Sequence, residues 1–231
     1  MAVFATAAAL APSSASAAEP GIAASVWPVH GRNVTAAASV NVLTLNDQRG
    51  IDNRISAYTG ATGRLVLTAP EGLGDPDGSG ANCSLDNAKA GESSAQQVSC
   101  APGYIGAIVG DLDMGNDTFD ADSGLGVYVG AVVDGQHRPL AGGPGRDRLL
   151  GGAAQDLLEG GGGPDSIVGG GDEDLLIGGP GADKLSGGGG SDVLLGLGGP
   201  DRLNGGAASD LCRGGGGTDR GKSCEITRGI P

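Results

Sequence analysis

The sequence predicts an all-β chain in which an irregular β region precedes a strict repeat array, and three observations carry that reading. Short apolar runs with β-branched residues recur between turn-forming stretches, and no amphipathic helical periodicity interrupts them. From Gly142 onward, glycine and aspartate return on a nine-residue period without one insertion. The composition counts 48 glycines in 231 residues with 3 % aromatics, too few large side chains to offset backbone entropy by core burial alone. Stability has to come from a metal, from disulfides or from the stacking of repeats.

Residues 1–18 read as a secretory signal peptide. An apolar stretch through Leu10 is followed by Ala15-Ser16-Ala17, a small-residue cleavage pattern. It lacks a basic n-region, so the natural start is expected further upstream. No later apolar stretch approaches the ~20 residues of a membrane-spanning helix, and the mature chain is expected outside the cell.

Residues 19–140 form the irregular all-β region. Val40–Leu45, Arg64–Thr68, Tyr104–Val109 and Gly126–Val133 are its strand-like runs, separated by turn-rich stretches such as Gly72–Gly80. Four cysteines behind a signal peptide point to disulfides in an oxidising compartment. Of the three connectivities, the local pairs Cys83–Cys100 and Cys212–Cys224 are favoured. Zinc is disfavoured, because the cysteine spacings are wrong and His30 and His137 lie far away.

The array divides into nine blocks: GGPGRDRLL, GGAAQDLLE, GGGGPDSIV, GGGDEDLLI, GGPGADKLS, GGGGSDVLL, GLGGPDRLN, GGAASDLCR and GGGGTDRGK. The sixth place is always aspartate: Asp147, Asp156, Asp165, Asp174, Asp183, Asp192, Asp201, Asp210 and Asp219. The eighth is apolar in eight blocks, from Leu149 to Cys212. Glycine-rich low complexity accounts for neither fixed position.

This pattern resembles the haemolysin-type (RTX) calcium-binding repeat, whose GGxGxDxUx signature marks a calcium-binding β-helix. The resemblance covers residues 142 to about 222 and implies a parallel β-roll, a solenoid with two nonapeptides per coil. Such a roll would occupy residues 141–222, followed by a disulfide-capped tail over 223–231. In this arrangement the strand residues at the eighth place point inward, because side chains alternate in β structure. Stacked turns then bring carboxylates eighteen residues apart together. That row of like charge is unfavourable without a cation, and calcium suits a flexible cage of carboxylate and carbonyl oxygens. The odd blocks offer four inter-turn gaps and the even blocks three, about seven Ca2+ sites, whose charge would balance the formal −13 of the chain. Asp117, in a degenerate block upstream, is a candidate for an opening coil.

The two edges are expected to differ. The fourth place is glycine in every odd block but Ala154, Asp172, Gly190 and Ala208 in the even ones. If that place needs a left-handed backbone, the even edge binds more weakly. The even strands also present Leu157, Leu175, Ile177, Val193, Leu195 and Leu211 outward, an apolar face expected to pack on the N-terminal half or on a second copy. Cys212 and Cys224 would close the bottom of the roll.

The charge of −13 and pI near 4.3 argue against nucleic acid or an anionic membrane as partner. Gly216–Ser223 matches the P-loop expression, but the chain leaves no room for the helix that must follow. Asp111 and Asp113 begin like an EF-hand, yet Gly115 and Asn116 spoil it. No HExxH or GxSxG occurs, so no catalytic residues are assigned. The leading expectation is calcium binding coupled to folding, with a structural or binding role outside the cell. The alternative is a secreted enzyme with a catalytic N-terminal half and a calcium-stabilised roll. A pore former lacks the long apolar segments required.

Overall fold

A computed structural model describes residues 23–29, 40–46, 52–74, 83–86, 94–133 and 136–228. The expected signal peptide, His30 and most of the Gly72–Gly80 turn lie outside the described residues. Every regular element among the described residues is a β-strand, as the absence of helical periodicity requires.

Two ten-stranded sheets face each other. The even sheet stacks Leu157–Gly162, Leu175–Pro180, Val193–Gly198 and Leu211–Gly216 in parallel, with Leu140–Pro144 and Ile105–Asp111 above and Ile226–Arg228 below. The odd sheet stacks Arg148–Gly152, Ser166–Gly170, Lys184–Gly189, Arg202–Ala207 and Arg220–Lys222 beneath Thr118–Ala121 and Arg54–Thr59. Partners stand eighteen residues apart, as in Ser166↔Lys184 and Leu175↔Val193. One coil is therefore two nonapeptides, and the chain winds a parallel β-solenoid of about six turns over residues 107–222.

The eighth-place side chains form its interior. Leu149, Leu158, Ile167, Leu176, Leu185, Leu194, Leu203 and Cys212 are buried in one core that continues upward into Leu43, Ile55, Ile108 and Phe119. Both sheets thus run on past the first repeat. Above the parallel strands, the odd sheet turns antiparallel through Leu65–Gly74, Ser94–Cys100 and Cys83–Asp86. Disulfides join Cys83 to Cys100 and Cys212 to Cys224.

Two details differ from the sequence reading. The run Gly126–Val133 splits into Tyr128–Val129, which pairs with Ile105–Asp111, and Ala131–Val133, which forms a hairpin with Gln136–Arg138. The break falls at Gly130, which turns the chain with a φ of 72°. The outward apolar stripe is also less open than the alternation suggests. Leu157 is buried, and Leu175, Ile177, Val193, Leu195 and Leu211 are half-buried. They shield one another along the sheet, as Leu175↔Val193↔Leu211 and Ile177↔Leu195.

Candidate metal centre

Each nonapeptide turn delivers its aspartate to the edge of the roll, where the side chain points back into the turn. All nine repeat aspartates are buried, none more than 4 % exposed. Their Oδ1 atoms form a ladder. The backbone N–H of Asp147 donates to Asp165 Oδ1 at 2.8 Å, Asp165 to Asp183 at 2.9 Å, Asp183 to Asp201 at 3.0 Å and Asp201 to Asp219 at 3.0 Å. On the other edge Asp156 donates to Asp174 at 2.8 Å, and Asp174 to Asp192 and Asp192 to Asp210 at 2.9 Å each. The odd ladder extends upward. Asp117 N–H donates to Asp147 Oδ1, and Asn53 N–H donates to Asp117 Oδ1, both at 2.7 Å. The candidate opening aspartate therefore stands in line with the repeats.

The second oxygen is the chemically decisive one. Oδ2 of all nine repeat aspartates is buried and has no hydrogen-bond partner. A buried acceptor left unpaired costs ~1–3 kcal/mol, and more when charged. Around it stand other oxygens. A Cβ on Gly178 would lie 2.5 Å from Asp183 Oδ2 and 2.8 Å from the Gly196 carbonyl oxygen. On Gly187 it would clash with Asp192 Oδ2 and lie 2.6 Å from the Gly205 carbonyl oxygen. First-place glycine is thus required by space: carboxylate and carbonyl oxygens converge over its Cα.

Electrostatics agree with the geometry. Burial, reinforced by the neighbouring aspartates and opposed by the N–H bond to Oδ1, pushes Asp147, Asp165 and Asp183 up to about 6. The same causes push Asp174 to about 7 and Asp156 to about 8. Asp192 and Asp201 move in the same direction. Each edge therefore resists carrying its full negative charge unless a cation joins it.

The donor set is all oxygen. No group of three or more His, Cys, Asp or Glu side chains placed for a metal occurs among the described residues, so a bound ion would draw most of its ligands from the backbone. Hard, flexible oxygen coordination fits calcium and does not fit zinc or copper.

The left-handed backbone occurs at the fourth place in most blocks, as the sequence suggested, and also at the second. It is uniform at the second place, where φ lies between 76° and 157° in all nine blocks. There the residue is glycine except for Leu197, held at φ 76°. At the fourth place the backbone is left-handed in six of nine blocks, at Gly163, Gly190, Gly199 and Gly217 (116–132°) and at Asp172 (67°) and Ala208 (75°), but not at Gly145, Ala154 or Gly181. Strain therefore touches both edges: Leu197 on the odd one, Asp172 and Ala208 on the even one.

Sequence reasoning missed Glu225. Its Oε2 accepts the Asp210 N–H at 2.6 Å, taking the place of a tenth aspartate. Its position follows from a turn three residues shorter, since Leu211 pairs with Ile226 where an unbroken period would bring Gly229. Cys224, tied to Cys212, fixes that turn. Val129 heads the even ladder, donating its N–H to Asp156 Oδ1 at 2.7 Å without a carboxylate of its own.

These features define a cation-binding parallel β-roll, with a row of buried carboxylates along each edge. The family model of the RTX calcium-binding nonapeptide repeat matches the chain in four copies, at residues 140–167, 151–185, 159–194 and 186–220. The repeats of residues 140–220 thus carry the RTX calcium-binding pattern. No curated protein and no solved structure matches the chain. No helix among the described residues is long and apolar enough to cross a membrane.

Proposed function

We propose that this protein is secreted and works outside the cell as a calcium-folded structural or binding module. Its ions lie in two rows between successive turns, held by Asp147, Asp165, Asp183, Asp201 and Asp219 on one edge and by Asp156, Asp174, Asp192 and Asp210 on the other. Asp117 extends the first row and Glu225 the second. One observation carries this reading: nine buried Oδ2 atoms without a partner, six of them beside a carbonyl oxygen that converges on the same first-place glycine. Ions there relieve the desolvation and mutual repulsion of the carboxylates, so metal binding and folding are one equilibrium. No residue constellation supports the enzyme alternative. The half-buried stripe through Leu175 and Val193 offers a contact surface to a second copy, which sedimentation of a Leu175→Ser/Val193→Ser variant would test.

The experiment is circular dichroism of the mature chain during a calcium titration, with magnesium as control. A calcium-specific gain of β signal is expected. An unchanged spectrum up to ~10 mM calcium, the range of weak extracellular sites, would remove the proposal.

A further inference from the structure

The outer face of the odd sheet is basic on a strongly acidic chain. Lys184, Arg202 and Arg220 occupy the same outward position on three consecutive strands, in register. Lys222 follows beside Asn204. All four cations are exposed, and none has a side-chain ion pair or hydrogen bond among the described residues. The ion pair that does occur on this sheet, Arg148 with Asp120, lies higher up. No carboxylate interrupts the row below it: the other outward residues are Ser166, Val168, Ser186 and Asn204. Neighbouring strands stand ~4.8 Å apart, so the like charges of Lys184, Arg202 and Arg220 are held side by side, an arrangement that destabilises a sheet. The four cations line one shallow groove with Ser186 and Asn204.

We propose that this groove binds a linear carboxylated polysaccharide, and that calcium in the two ladders switches the binding on. Regularly spaced cations match a polymer that carries its charge at a fixed interval, and the Arg202 and Arg220 guanidiniums present the fork that pairs with carboxylate. Asn204 Nδ2 donates to Ser186 Oγ at 3.3 Å, placing an amide and a hydroxyl between the cations, where sugar hydroxyls need partners. Single-stranded nucleic acid is the poorer occupant, because no aromatic ring lines the groove for bases to stack on. Calcium enters twice. It folds the strands that bring the cations into register, and about seven divalent ions would cancel the formal −13 that otherwise repels any polyanion. The calcium dependence rests on the function proposed above; the groove and its cations do not.

Hyaluronate oligosaccharides are the probe, since they carry one carboxylate per disaccharide, about two strand spacings, and so meet every second cation of the row. Binding to the full mature chain would be measured by calorimetry with and without calcium, at low and high salt, against neutral dextran and single-stranded DNA. The variant is Arg202→Glu/Arg220→Glu, both outward, with its own calcium circular dichroism titration to establish that the roll still folds. A single Arg202→Gln variant serves if the double one does not. The expected result is calcium-dependent, salt-sensitive binding of hyaluronate, weakened at least about tenfold in the variant. Equal binding by a folded variant, tighter binding of DNA, or no binding by the calcium-loaded chain overturns the inference. If the dichroism does not respond to calcium while hyaluronate binds, the groove stands, and calcium switching falls together with the calcium-folding reading.

Discussion

The upper coils and the repeat coils share the same two sheets yet are held together by different means. Upstream, strands bury several apolar side chains each: Leu43 and Leu45, Ile55 and Ala57, Leu65 and Leu67, Ile105 and Ile108. Antiparallel strands and the Cys83–Cys100 disulfide close that end. In the repeats, most strands bury one apolar side chain, and each turn buries one carboxylate. Apolar burial and the Cys83–Cys100 disulfide together hold the first region. The second adds little apolar area per residue while accumulating desolvated charge, so its stability depends on what neutralises the ladders. On the function proposed above, a repeat that gives up core for carboxylates makes folding conditional on an ion.

The largest effect that would sharpen this contrast comes from a mid-ladder pair of substitutions. Asp183→Ala leaves the Asp165 N–H without its acceptor, costing ~1–3 kcal/mol from the orphaned amide alone, in addition to removing a proposed calcium ligand. Asp183→Asn keeps an acceptor and removes the charge. It should make the metal-free roll more stable and the calcium response smaller, as read by denaturant unfolding with and without calcium. If both variants behave alike in the absence of metal, ladder repulsion does not govern the roll.

Next in size is the closure of the lower end. Cys224→Ser opens a disulfide spanning 12 residues and should lower stability by about 2–3 kcal/mol. It also releases the turn that presents Glu225 to Asp210. Thermal unfolding in calcium would show the loss, and a loss confined to the upper coils would break the comparison.

A pH effect of opposite sign in the two metal states follows. The folded-state carboxyls are raised to about 6 at Asp147, Asp165 and Asp183, about 7 at Asp174 and about 8 at Asp156, above their unfolded value of 3.8. Raised groups stabilise the metal-free roll fully below the unfolded value and lose that contribution as pH rises through the folded one. Acidification from pH 8 to 5 should therefore increase β signal without calcium, and should weaken apparent calcium affinity, since protons and metal compete for the same oxygens. Dichroism across that window with chelator and with calcium checks both signs.

The smallest effect concerns Leu197, a bulky residue in a left-handed conformation at the place glycine fills in the other blocks. Leu197→Gly should stabilise the roll by up to about 1 kcal/mol, measurable as a shift in the denaturant midpoint.

Legibility in the sequence followed periodicity. Wherever the nine-residue period held, the fixed aspartates and the inward leucines could be read from spacing, while the two-block coil and the aspartate ladder it creates came from the resemblance to RTX repeats. Where it slipped, position lost its meaning. Asp117 lies 30 residues above Asp147 instead of 18, because Asp122–Pro139 intervenes. Asn53 is 64 residues from Asp117, a distance no local pattern reports. Glu225 differs in residue type and follows a shortened turn, so nothing marked it as the end of the even ladder. The second-place rule was visible as glycine in eight of nine blocks.

Hydrogen exchange, resolved along the chain with and without calcium, tests the central claim most directly. With calcium, amides from Arg148 to Arg220 should be protected to a degree comparable with those of Ile55, Leu67 and Ile108. Without calcium, the repeat amides should exchange fast while the upper coils keep their protection. Equal protection of both regions in the absence of metal would contradict the account, because the roll would then stand without its ions.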